Sequence, residues 1–109
     1  GITRIPDYIL GGTRGYSTLT LPETVTVIGY GAFGGCSELQ NIILPNGLKS
    51  IADMAFYGCK GLGEMVIPDG LEYIGTQAFD FCDNVVLSVM ECSPAQEYAE
   101  LRGIRYTVR

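Results

Sequence analysis

Four cysteines are the residues with the most chemistry to offer in this chain of 109 residues, and their spacing decides which chemistry is open to them. Cys36, Cys59 and Cys82 stand 23 residues apart and Cys92 follows ten later, in a sequence without histidine. A metal centre wants close pairs such as C-x-x-C, as a rule with histidine among the ligands, so no metal ligand set is assigned. A nucleophilic cysteine or serine wants a base beside it. The carboxylates Asp80, Asp83 and Glu91 read as solvated loop charges and not as a general acid and base. The 15 glycines are spread through the chain and form no phosphate-cradling loop between a strand and a helix. Neither catalytic residues, nor a cofactor, nor a small-molecule substrate is expected.

The residues around the cysteines repeat with them. Pro22, Pro45 and Pro68 share the same period of 23, as do Ile28, Ile51 and Ile74, then Ala32, Ala55 and Ala78, then Phe33, Phe56 and Phe79. A fixed period in this range signals a solenoid, whose units cannot bury an apolar face alone and must stack on one another. Each unit has two halves. Leu39-x-x-Ile42-x-Leu44 and Leu62-x-x-Met65-x-Ile67, with Tyr16-x-x-Leu19-x-Leu21 before them, end in the alternation of a short strand, which the following proline stops. The turns after it, Asn46-Gly47 and Asp69-Gly70, carry residues that tolerate a positive φ, with Glu23-Thr24 in their place earlier. The second half spaces Leu48, Ile51, Ala55, Phe56 and Cys59 by three or four, which predicts an extended piece over Leu48 to Ile51 and one 3₁₀ or α turn over Asp53 to Tyr57. Successive strands separated by a whole coil run parallel, about 4.8 Å apart. The cysteines then form a column. A disulfide between stacked coils would need β carbons ~3.8 Å apart, closer than parallel Cβ vectors bring them, so the column reads as small buried hydrophobes beneath the phenylalanine column. Cys92 lies off it and either packs against the cap or stays reactive.

The ends of the chain depart from the pattern. Residues 1–15 form a worn partial repeat, in which Ile9 takes the alanine place and Thr13 the cysteine place; this is either a terminal cap or an internal coil of a longer array. Three repeats follow at 16–38, 39–61 and 62–84. Residues 85–109 form a C-terminal cap: Ser93-Pro94-Ala95-Gln96 reads as an N-cap, a proline at the first helical position and a capping-box glutamine, and Gly103 stops a helix of about 94–101. Ala95, Tyr98 with Ala99, and Leu101 are expected on its inner side, with Ile104 to Val108 as a closing extended segment. The whole is read as one domain.

The L-x-x-L-x-L half marks a leucine-rich repeat, and the full unit closely resembles the BspA-like (Treponema pallidum-type) leucine-rich repeat, a strand, a proline and then I-G-x-x-A-F-x-x-C. Ile74-Gly75-Thr76-Gln77-Ala78-Phe79-Asp80-Phe81-Cys82 carries it in full, as do Ile28-Gly29, Ala32-Phe33 and Cys36, while Ala52 replaces the glycine in the middle unit. The resemblance implies a leucine-rich-repeat right-handed solenoid of short parallel β-strands, one per 23-residue coil, joined by 3₁₀ or α turns. It also implies a non-catalytic bacterial surface or secreted protein that binds extracellular or host proteins as an adhesin-like module; many family members have no assigned role. One departure bears on binding: Gly47 and Gly70 stand where commoner leucine-rich repeats carry an Asn or Cys ladder, so their binding mode does not transfer.

Composition agrees with an interaction or structural role. Apolar residues make up 47% and charged residues 17%, enough for a continuous core, and a net charge of −5 without a basic cluster argues against nucleic acid. No apolar run approaches the roughly 18 residues that cross a bilayer, so membrane insertion is not expected. Outward strand positions supply the candidate binding residues: Thr18, Asn41 and Glu64 in one column, Thr20, Ile43 and Val66 in the next. Tyr30, Tyr57 and Tyr73 are further candidates, since exposed tyrosines often anchor interfaces. Four coils give a ladder only about 20 Å wide, against about 800 Å² for one side of a standard interface. A partner is therefore expected to meet a longer array or several copies, with this chain a fragment or a spacer; a structural spacer without a ligand is the alternative reading.

Overall fold

A computed structural model describes residues 2–12, 14–15 and 17–109; Thr13 and Tyr16, which the repeat alignment invoked, lie outside the described residues. The chain winds into stacked coils whose Cα partners are 23 residues apart. Strands β1 (Arg4–Ile5), β3 (Val27–Ile28), β5 (Ser50–Ile51) and β7 (Tyr73–Ile74) form one continuous parallel ladder. On another side, β2 (Thr18–Thr20) pairs with β4 (Asn41–Ile43), and β6 (Glu64–Val66) pairs with β8 (Val86–Val89), which pairs with β9 (Tyr106–Val108). The extended piece expected over Leu48 to Ile51 is thus a strand of its own, and each of the first coils gives two strands and not one.

The turn segments close with isolated i→i−3 bonds, the 3₁₀ type expected there, and do not extend into a helix. Over 53–58 the chain makes hydrogen-bonded turns and no helix, because only alternate N–H groups are satisfied locally. Ala55 and Tyr57 donate to Ala52 and Met54, whereas Phe56 and Gly58 donate to Ala78 and Asp80 in the next coil. A helix would need all of them for itself. Gly47 and Gly70 do not have the expected positive φ; the turns there close by Leu48 and Leu71 donating to Pro45 and Pro68. Left-handed backbone recurs instead in two corner columns, Tyr8, Gly31 and Met54, and Gly12, Gly35, Gly58 and Phe81, and occurs singly at Gly15, Cys92 and Gly103.

Inside the coil, equivalent side chains stack. Phe33, Phe56 and Phe79 are at most 2% exposed, and their rings lie nearly parallel with centroids 5.4 and 5.2 Å apart. The coil register enforces that geometry, and Tyr98 closes the stack edge-on at 6.2 Å. The cysteines do more than fill space: Sγ of Cys36, Cys59 and Cys82 donates to the carbonyls of Leu10, Phe33 and Phe56 at 2.9, 3.0 and 2.9 Å. Each thiol therefore bridges to the preceding coil. Cys59 and Cys82 are free thiols, and the hydrogen bond to Cys82, with burial, pushes the Cys59 thiol up. Cys92 is exposed, with its N–H accepted by Gln96 Oε1.

The structure also explains the one glycine the middle repeat lacks. Asp7 Oδ1 accepts from Tyr30 N–H at 2.8 Å, and a Cβ on Gly29 would lie 2.4 Å from that oxygen. Likewise a Cβ on Gly75 would lie 2.3 Å from Asp53 Oδ1 and 2.4 Å from Asp53 N. In the middle repeat, Ala52 follows a coil with Tyr30 at the aspartate place, and the crowding carboxylate is absent. The preceding coil's main chain crowds the position as well, with Ile5 O 2.6 Å from the Gly29 Cβ place and Asp53 Cα 2.6 Å from that of Gly75, so the aspartate supplies one part of the clash.

Helix α1 (Pro94–Arg102) covers the β7 end of the stack. Ser93 Oγ accepts from Gln96 N–H, and Gly103 at φ 69° ends the helix. Ala95, Tyr98 and Ala99 are buried, but Leu101 is 77% exposed, against expectation. At about 100° per residue it falls more than a quarter turn from the inner face. Tyr98 OH donates to Thr76 O at 3.1 Å.

Three outcomes test this account. Phe56→Ala opens the middle of the ring stack and is expected to cost about 3 to 5 kcal/mol by denaturant unfolding; a cost under about 1 kcal/mol would mean an unburied column. Gly75→Ala, which must displace Asp53, is expected to cost about 1 to 3 kcal/mol, and pairing it with Asp53→Ala should recover part of that loss. Burial pushes Tyr98 from its usual 10.0 up to about 12. The fold favours the neutral phenol, so its contribution is complete below pH 10 and lost as pH rises to 12. Unfolding midpoints should fall across that window, and the Tyr98→Phe protein should lack this share of the fall.

Candidate functional site

Strand alternation puts Ile42 and Met65 inward and their neighbours outward. Asn41, Ile43, Glu64 and Val66 are all exposed, with Ile43 and Val66 at 56% and 57%. Together with Thr18 they line an open groove of about 870 Å³. Its floor is a seam in the sheet. Leu21 N–H reaches Ile43 O at 3.1 Å on one side of it, and Ile67 N–H reaches Ser88 O at 2.9 Å on the other. Between the second and third coils no ladder joins β4 to β6 among the described residues; Gly63 N–H to Gln40 O, at 3.1 Å, holds only the lower end. Ile42 and Leu44 have buried side chains yet line the groove, so they present main chain to it.

The upper rim is made by the turns after the strands, Asn46 in the second coil and Asp69-Gly70 in the third, and by Arg109, just past β9. Arg109 lies across two coils: its guanidinium donates to Ile67 O, Ser88 O and Asp69 Oδ1. Asp69 balances its charge, so among the described residues Glu64 is left as the groove's carboxylate without an ion pair. Lys49 stands behind Gly70, with Nζ 3.5 Å from where a Cβ would be, and does not line the groove.

The structure brings together five of the six strand candidates and leaves the tyrosines apart. Thr20 is exposed in register with Ile43 but outside the groove lining. Tyr30 meets Tyr8 edge-on at 5.4 Å and donates to Met54 Sδ at 3.0 Å. Tyr57 is half-buried against Phe81 at 5.2 Å. Tyr73 lines a separate hollow beside α1. Near the cap, Asp80 is held by Arg102 through both oxygens at 3.0 Å, and Asp83 lies 3.7 Å from Lys60. Among the described residues no three metal-ligating side chains gather. Sequence reasoning missed Asn46, Asp69 and Arg109 as site residues. The first two share a repeat column that could have suggested a rim, but Arg109 lies outside the repeats and gave no signal.

A family model described as "BspA type Leucine rich repeat region (6 copies)" matches residues 3–96. Two solved structures are similar: a leucine-rich repeat protein of T. pallidum, with 25% identity and a TM-score of 0.62 over 80% of this chain, and a leucine-rich cell surface protein of Faecalibacterium prausnitzii A2-165, with 27% identity and 0.57 over 91%. The chain spans 52% of the first and 32% of the second. No curated protein sequence matches. With its strand, proline and I-G-x-x-A-F-x-x-C turn stacked every 23 residues and the family match running through most of its length, this chain belongs to the BspA-type leucine-rich repeat family.

Proposed function

We propose that the groove on the β2–β4–β6 face is a protein-binding surface, and that the chain is a non-catalytic, adhesin-like interaction module of a bacterial surface or secreted protein. The observation that carries this reading is the pair Ile43 and Val66, two β-branched side chains more than half exposed on adjacent coils and rimmed by polar groups. Exposed apolar surface with a polar rim is a common mark of an interaction site. The neighbour's description as a cell surface protein supports the compartment. The partners this reading expects are extracellular or host proteins.

Size limits how the surface is used. The molecule measures 33 × 31 × 21 Å, and a standard interface takes about 800 Å² from each partner. The groove is a part of that area, so the partner also touches the flanking coils or binds several copies. A structural spacer without a ligand is the competing reading, favoured by the neighbours' greater length.

A binding screen against immobilised extracellular-matrix and plasma proteins separates the two. Saturable binding that weakens at least about tenfold on Ile43→Lys with Val66→Lys, at unchanged circular dichroism and melting temperature, is the expected result. Undiminished binding by the double variant would move the site off this face, and no binding by any copy number would favour the spacer.

A further inference from the structure

Resting on the reading of the groove as a protein-binding face, we infer that it takes an arginine side chain of an extended partner segment, with aliphatic neighbours lying on Ile43 and Val66. The molecule holds such a side chain one coil further on. Arg109 lays its guanidinium across the tops of the third and fourth coils, bonded to Ile67 O, Ser88 O and Asp69 Oδ1. Moved back by one coil, those acceptors become Leu44 O, Val66 O and Asn46 Oδ1, for Leu44 precedes Pro45 as Ile67 precedes Pro68, Val66 pairs in register with Ser88, and Asn46 stands at the place of Asp69. All three residues line the groove.

Two differences between the coils favour an incoming cation. Ser88 O already accepts from Ile67 N–H, but among the described residues the corresponding bond from Leu44 N–H to Val66 O is missing at the seam. The earlier position thus offers an acceptor its own fold does not use. No described arginine of this chain fills it either, while Glu64 supplies a carboxylate in the same groove. A guanidinium presents several donors in a fixed plane and suits the paired carbonyls of Leu44 and Val66 with the Asn46 amide oxygen better than a lysine ammonium does, and Glu64 supplies the charge balance that neutral Asn46 does not. Ile43 and Val66 flank the place, so aliphatic residues on either side of the arginine would be covered.

The test is an ¹⁵N-resolved NMR titration of the full chain with the probe N-acetyl-Leu-Arg-Leu-amide, against the same peptide with citrulline for arginine, which keeps the shape and removes the charge. Expected are saturable shifts centred on the Leu44 and Val66 amides and the Asn46 side-chain amide. Affinity should fall at least about fivefold for the citrulline peptide and for the Glu64→Gln chain. Equal affinity of the two peptides at this groove would remove the arginine and leave the face as a binding surface. Shifts spread over the chain, shifts confined to the Asp69 and Arg109 end, or no shifts at all would overturn the inference. The broader reading of the face would then rest on the double-lysine variant.

Discussion

A backbone N–H that is not bonded within its own coil must find a carbonyl in the next one, and this demand sets the shape of everything else. In the corner segments the two kinds of donor alternate, Ala55 and Tyr57 inward to their own turn and Phe56 and Gly58 outward to Ala78 and Asp80. Buried backbone groups left without partners cost about 1 to 3 kcal/mol each, so coils can be stacked only in one register. That register brings like side chain over like, which is why a ring stack and a thiol-to-carbonyl ladder run through the three full repeats. The same demand leaves the last coil with nothing to bond to, and α1 with β9 answers it: Tyr98 donates to Thr76 O, and β9 pairs with β8.

Much of this was legible in the residues. A period of 23 fixed the stack, the proline column marked where the first strand of each coil stops, and Ser93, Pro94 and Gly103 bounded α1 to within a residue. What escaped reading has a common physical cause, namely that it depends on the neighbouring coil. The second ladder runs through strands of two residues, too short for alternation to show. The corner looks helical because three- and four-residue spacing is also what a tight polygonal coil produces. The Gly75–Asp53 dependence appears only when position i is compared with i − 22, and a period of 23 hides it.

The candidate site was legible in its floor and illegible in its rim. Outward strand positions follow from alternation alone, so the residue pattern suffices to place Asn41, Ile43, Glu64 and Val66 on one exposed face. The tyrosines were grouped with them by residue type, but none lines the groove: Tyr73 stands on the β7 ladder, and the ring contacts of Tyr30 and Tyr57 with Tyr8 and Phe81 are part of corner packing. Phe81 is an example of how exposure alone misleads: it is 62% exposed at φ 62° in a column of glycines, yet it holds the edge of Tyr57.

The seam between the second and third coils is where the stacking rule relaxes. Elsewhere around the coil β3, β5 and β7 keep an unbroken ladder and Phe56 and Gly58 bond to Ala78 and Asp80, so the pairing is interrupted on one side only. Water can satisfy the groups so exposed, and the loss is therefore small compared with an orphaned pair in the core. On the proposed reading, a ligand that replaces this water must match its hydrogen bonds or lose affinity, so the seam would favour a segment that brings donors over a purely apolar one. Apolar surface at Ile43 and Val66 supplies attraction without direction, and the open carbonyls supply direction; neither by itself would discriminate one extended segment from another.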